Sequence, residues 1–192
     1  MMTSFTVLRL SSIIGGVDLR RINAFFVKIM GLTGSIPFKK EVDGMEYWYL
    51  AENPSERIYR RLITVLCDNS DKFYFVTRKE LKYNQEVIAK FNPYIIESYE
   101  TKKWANTITK GPAATVYVIE PNKETCKLLK EYANNLYEWV APSLPEDLTF
   151  IKNNFAWFSS TTHEEFGSFS IRSDYYRSLV RGIYGLKVQK VE

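Results

Sequence analysis

The stretch Leu148-Thr149-Phe150-Ile151-Lys152-Asn153-Asn154-Phe155-Ala156-Trp157-Phe158-Ser159-Ser160-Thr161 decides the fold. Two runs rich in aromatic and β-branched residues flank a pair of asparagines. Asparagine tolerates positive φ, which the favoured two-residue hairpin turns require. The pattern predicts antiparallel strands over Leu148–Lys152 and Phe155–Thr161, with Lys152 opposite Phe155. That register makes Phe150 and Trp157 cross-strand neighbours on one face. The block around the hairpin, from Tyr137 to Phe166, is dense in turn residues, aromatics and carboxylates. Leu144-Pro145-Glu146-Asp147-Leu148 precedes the turn. His163-Glu164-Glu165 follows it and contains the only histidine of the chain.

Outward from the hairpin, helix and strand signals alternate without a strict order. Ser4–Leu10 reads as a strand, Gly15-Gly16 as a turn, and Asp18 to Met30 as a helix with Gly31 after it. Met45–Leu50 reads as an aromatic strand. Asn53-Pro54-Ser55-Glu56 reads as a helix start, with Asn53 as cap, Pro54 at the first position and Glu56 closing a capping box. Ile58, Leu62, Val65 and Leu66 form its apolar stripe. Phe73–Val76 is a short strand. Thr77 with Glu80 reads as a second capping box, opening a helix to Phe91 that Asn92-Pro93 stops. Tyr94–Tyr99 is a strand, and the polar segment from Glu100 to Pro112 reads as a long loop or linker. Thr115–Ile119 is a strand, and Asn122 caps a helix through Leu136. After the hairpin, Glu165–Ile171 reads as a third strand. A final helix runs from Asp174 to Tyr184, with Gly185 at its end.

These signals predict an α+β fold: a mixed sheet with several packed helices and a C-terminal antiparallel β-hairpin. The chain reads as a single domain over 1–192, with sub-units 1–105 and 113–192 as the alternative division. Tyr47–Val76 and Val116–Ile151 share one order: strand, Pro-containing turn, capped helix, loop, strand. Pro54 matches Pro121 and Leu62 matches Leu129. A degenerate duplication of a β-α-β unit and convergent α+β grammar explain this equally well.

The 192 residues carry a net charge of +4, with 45% hydrophobic and 25% charged residues, the balance of an ordinary globular protein. Thirteen Tyr, twelve Phe and four Trp serve either an aromatic core or an aromatic contact surface. The basic residues are scattered, unlike the footprint of a dedicated nucleic-acid binder. Arg57, Arg60 and Arg61 with the interleaved Tyr59 are the one patch that would suit single-stranded nucleic acid. Cys67 and Cys126 are the only cysteines, far apart in sequence, and read as small buried hydrophobes rather than a disulfide framework. The N-terminus shows no secretory signal, and the longest apolar stretch, Ala24 to Leu32, is too short to span a bilayer. A cytoplasmic protein without membrane attachment is the expectation.

Cofactor motifs are absent. The chain has no GxxxxGK[ST] and no GxGxxG. One histidine and two isolated cysteines cannot supply a structural zinc site. Neither a cofactor nor a metal is expected. Imidazole chemistry would have to pass through His163. Strand alternation puts it on the face of Ser159 and Thr161, but same-face neighbours are about 7 Å apart, too far for a direct Ser–His bond. Glu146, Asp147, Trp157, His163 and Glu164 are therefore candidate binding residues, with no catalytic assignment. The box Leu144–Leu148 reads as structural first, with Glu146 or Asp147, after Pro145, satisfying nearby backbone donors.

The run Val116–Phe166 resembles a family of uncharacterised small bacterial proteins. The shared pattern is a strand, a helix ending in Leu136-Tyr137-Glu138-Trp139, the box Leu144–Leu148, an aromatic hairpin from Phe150 to Phe158, and a closing His163-Glu164. The resemblance covers about a third of the chain and brings no activity with it. The expected function is non-catalytic protein binding, in an immunity-like, antitoxin-like or phage–host role tied to a bacterium or its mobile elements. A small hydrolase using His163 with nearby carboxylates is the alternative. Nucleic acid is the less favoured partner, and oligomeric state is not legible.

Overall fold

A computed structural model of the chain describes residues 44–191. The expected strand at Ser4–Leu10, the Gly15-Gly16 turn and the helix from Asp18 to Met30 lie outside the described residues. In chain order the described residues form β1 (Glu46–Leu50), α1 (Glu56–Asp68), β2 (Lys72–Thr77), α2 (Gln85–Phe91), β3 (Ile95–Thr101), β4 (Lys103–Trp104) and β5 (Thr107–Ile108). There follow β6 (Ala114–Ile119), α3 (Lys123–Tyr132), β7 (Glu146–Lys152), β8 (Phe155–Thr161), β9 (Phe166–Ile171), α4 (Asp174–Arg181) and β10 (Val188–Lys190). Single 3-10 turns occur at Asn92–Tyr94, Leu136–Glu138 and Thr162–Glu164.

The fold is α+β. Eight strands form one sheet in the order β10-β1-β9-β8-β7-β2-β6-β3, and every adjacent pair is antiparallel. The polar stretch after β3 does not divide this sheet. Strand β2, before it, lies between β6 and β7, after it. The alternative division at 105 and 113 therefore has no counterpart in the strand order. Both β-α-β units exist, but they close differently. Strands β6 and β7 flank one intervening strand, whereas β1 and β2 are separated by β9, β8 and β7. Among the described residues no helix is long and apolar enough to cross a membrane.

Alternation along the strands makes two cores. Phe73 and Phe75 of β2, Phe150 of β7, Phe158 of β8 and Phe169 of β9 belong to the main core with the helices. Phe73 stacks on Phe150 at 5.2 Å, and Phe158 meets Phe169 at 4.9 Å. Each such ring pair adds about 0.5–1.5 kcal/mol beyond its buried area. Tyr74 and Val76, one residue out of phase, join Val116, Val118 and Trp104 in a smaller cluster on the other face.

The hairpin forms where expected, and its register differs. Asn153 and Asn154 take φ of 52° and 57°, and Lys152 pairs with Phe155. Beyond that pair, Ile151 faces Ala156 but Phe150 faces Phe158. Trp157 is the extra residue of a β-bulge, so Phe158, not Trp157, is the partner of Phe150. The bulge lets both Trp157 and Phe158 enter the main core.

Tertiary pairing also overrides several local helix signals. Helix α1 begins at Glu56, with Ser55 rather than Asn53 at the cap position and no side-chain cap bond. Asn53 instead donates to Asn135 at 2.9 Å, and the Pro54 carbonyl accepts from the Leu136 amide. The buried face of α1 is Tyr59, Leu62, Ile63, Leu66 and Cys67, with Ile58 and Val65 at its margins. Thr77 is held by β2, paired with Thr115, so it caps nothing. Asn84 caps the delayed helix α2 by accepting from the Glu86 amide. Helix α3 keeps its Asn122 cap but ends at Tyr132. Asn135 then caps a separate turn that carries Leu136. Helix α4 stops at Arg181, and β10 is a strand that no sequence signal announced.

Candidate functional site

The backbone departs most from regular strand geometry at Asp147. Strand β7 pairs Thr149 with Tyr74 but Glu146 with Val76, so β7 carries one extra residue there. Asp147 has a φ of 59°. Left-handed geometry in a bulge is usually a glycine position, and aspartate is among the few other residues that visit it. The buried carboxylate that results is fully partnered. Trp104 Nε1 donates to Oδ2 at 2.7 Å, and the Thr162 amide donates to Oδ1 at 2.9 Å. The Thr162 hydroxyl accepts from the Asp147 amide at 3.3 Å and donates to the Trp139 carbonyl. Burial pushes the Asp147 carboxyl above its ordinary range, while the Trp104 and Thr162 bonds pull it back.

Glu146, its neighbour, is only 2% exposed, and its Oε2 has no hydrogen-bond partner. Burial, and then the adjacent Asp147, push the Glu146 carboxyl upward. The Arg78 guanidinium, His163 and the Tyr83 hydroxyl act in the opposite direction. Arg78 is itself bound to Glu80 at 2.8 Å, and its amide donates to the Tyr83 hydroxyl at 3.0 Å.

His163 does not continue β8. It sits in the 3-10 turn Thr162–Glu164, off the face of Ser159 and Thr161, with Nε2 3.6 Å from Oε1 of Glu164. The reason is Thr162, whose amide and hydroxyl are both drawn to Asp147 and end the strand. Ser160 donates to the Leu148 carbonyl and Ser159 accepts from Asn106.

Four of the five sequence candidates thus meet at one end of the hairpin: Glu146, Asp147, His163 and Glu164. Trp157 does not join them. It is fully buried at the other end, donating to Ser70 at 2.9 Å and packed on Phe169 and Tyr176. A buried core ring cannot serve as a partner contact. Leu144 and Leu148 point inward, as the Leu-Pro-Glu-Asp-Leu box requires. Sequence reasoning missed Trp104, Thr162, Arg78 and Tyr83. A tryptophan inside an otherwise polar segment was the available signal for Trp104. That segment is not a plain loop: β4 and β5 pair as a small hairpin that buries the Trp104 ring. Nothing local marked Arg78 or Tyr83. Among the described residues no group of three or more His, Cys, Asp or Glu is arranged to hold a metal ion.

A second region lies at the β3 side of the sheet. Strand β3 is the outermost strand there among the described residues, and its side chains from Ile96 to Glu100 are exposed. Ile96 is 61%, Tyr99 43% and Ile108 47% exposed. The arginine-rich patch on α1 loses Tyr59 as an exposed aromatic, while Arg61 lies over the exposed Tyr184 ring at 5.4 Å. Tyr59 is fully buried, donating to the Leu129 carbonyl and accepting from Trp139 Nε1, each at 2.7 Å.

Comparison of the chain with known protein families, curated proteins and solved structures finds no match.

Proposed function

We propose that this chain is a non-catalytic, cytoplasmic protein-binding protein, and that β3 with the neighbouring β4–β5 hairpin is its contact surface. The observation that supports this most is the trio Ile96, Tyr99 and Ile108, exposed on and beside an outer strand. Large apolar and aromatic side chains at the surface are the usual anchors of a protein interface. An outer strand adds backbone groups that an extended segment of a partner can pair with. An immunity-like, antitoxin-like or phage–host role belongs to this reading, as does the resemblance to small bacterial proteins. The test is a pull-down from a bacterial host with the full chain, followed by Ile96→Asp combined with Ile108→Asp. Loss of a stoichiometric partner by about a hundredfold or more, roughly 2.7 kcal/mol, is expected. A partner held equally by the double variant would sink the assignment of the surface, and no stoichiometric partner would sink the reading.

A small hydrolase is the second reading, and one observation favours it. Glu146 carries an unpartnered, buried carboxyl oxygen beside Arg78, Tyr83 and His163. A carboxyl pushed upward by burial is suited to general acid work near neutral pH. Ester, phosphoester and glycoside substrates test this. Turnover lost in both Glu146→Gln and His163→Ala, with the fold intact, would displace the first reading.

A further inference from the structure

The two cysteines, remote in sequence, meet in space. Cys67 lies near the end of α1, and Cys126 lies in the first turns of α3. The helices pack on each other, and both cysteines are buried in the main core, 6% and 8% exposed. Both line one cavity of about 680 Å³ that is open to solvent. Arg60, Lys123, Lys127 and Lys130 outnumber Asp68 and Glu131 around it. Cationic surroundings and the early turns of a helix favour a thiolate. Both are the buried residues that the sequence reading expected, and the cavity they share brings them together in space.

We infer that Cys67 and Cys126 form a peroxide-sensitive dithiol that closes to a disulfide and clips α1 to α3. The roles follow from the surroundings. The bond from Cys67, followed by the Lys130 ammonium, draws the Cys126 thiol down to about 6. The same contact and burial push Cys67 upward. Cys126, early in α3 and beside Lys130, is the thiol that its surroundings favour as thiolate, and it attacks first. Its sulfur displaces hydroxide from hydrogen peroxide, forming a Cys126 sulfenic acid. Cys67, losing its proton, attacks that sulfur, and water leaves as the disulfide forms. Two electrons pass from the thiol pair to the peroxide. A dithiol reductant reverses the change by thiol–disulfide exchange.

The test uses the full chain, first reduced, then exposed to hydrogen peroxide. Free thiols are counted with a maleimide after denaturation, and intact mass is measured. The expected product has lost both thiols and the mass of two hydrogen atoms, remains a single chain, and recovers fully with dithiothreitol. Cys67→Ser should stop at a sulfenic acid trapped by dimedone, while Cys126→Ser should leave Cys67 unreacted. Iodoacetamide should label Cys126 ahead of Cys67, with a rate that falls several-fold as pH drops through about 6. Lys130→Gln should slow that labelling several-fold at neutral pH. Two free thiols after peroxide treatment of the wild-type chain would overturn the inference, whatever the variants do. Oxidation that yields only linked chains or oxygen adducts would overturn it equally.

Discussion

Asp147 and Glu146 are adjacent, both buried, and opposite in how well they are satisfied. Asp147 accepts from Trp104 Nε1 and the Thr162 amide, so removing its carboxylate orphans two donors. Each orphaned donor costs about 1–3 kcal/mol, offset in part because a desolvated carboxyl is also removed. Asp147→Ala should lower stability by about 2 kcal/mol in urea melts, since alanine must also hold the left-handed backbone. Asp147→Asn, which tolerates that backbone, should cost less. Equal losses would mean that the bulge does not depend on side-chain type. Glu146 has the opposite signature. Its folded-state pKa is raised, so the folded protein binds the proton more tightly than the unfolded chain. The resulting stability is fully present below the unfolded value of about 4.3 and is lost as pH rises through the folded value. Glu146→Gln cannot ionise. It should raise the melting temperature at pH about 7 and change it little at pH about 4. A fall at neutral pH would show instead that Arg78 and His163 stabilise an ionised Glu146. His163→Ala should shift stability by no more than about 0.5 kcal/mol, because the side chain is a third exposed.

At the scale of elements, the hairpin shows what local chemistry settles. Both turn residues take positive φ, as the Asn-Asn pair allows. Asn154→Gly removes the residual side-chain strain there and should add about 0.5 kcal/mol, read from a thermal melt. A loss instead would show that the Asn154 side chain contributes more than its φ costs. The register beyond the turn was not legible, because one inserted residue, Trp157, moves Phe158 opposite Phe150. No local signal distinguishes a bulged tryptophan from a paired one. The energetic reason lies across the sheet, where Trp157 finds Ser70, Phe169 and Tyr176. Helix starts failed in the same way. Asn53 and Thr77 are good caps, but each is engaged by a distant segment, Asn135 and Thr115 respectively. The β4–β5 hairpin, read from sequence as loop, covers the second core with Trp104. Trp104→Ala should cost about 3–5 kcal/mol by opening a cavity and leaving Oδ2 of Asp147 without its donor.

For the whole molecule, the proposed protein partner carries an expectation about nucleic acid. Net charge is +4, and Tyr59 of the arginine patch is inside, while Arg61 lies 5.4 Å over the exposed Tyr184 ring. The chain should flow through a single-stranded DNA column at about 0.15 M salt, and retention there would reopen that reading. The sequence by itself determined the α+β class, the antiparallel hairpin and its turn, the Asn122 cap, and the inward Leu144 and Leu148. These depend on φ preferences and side-chain periodicity within a few residues. Only the tertiary structure decided the bulges at Asp147 and Trp157 and the single sheet running through the polar segment. It also decided the convergence of Trp104, Thr162, Arg78 and Tyr83 on Glu146 and Asp147, and the meeting of Cys67 with Cys126. Those depend on which distant segments pair. A buried carboxylate or thiol is set by the groups that reach it, and neighbours in sequence do not encode them.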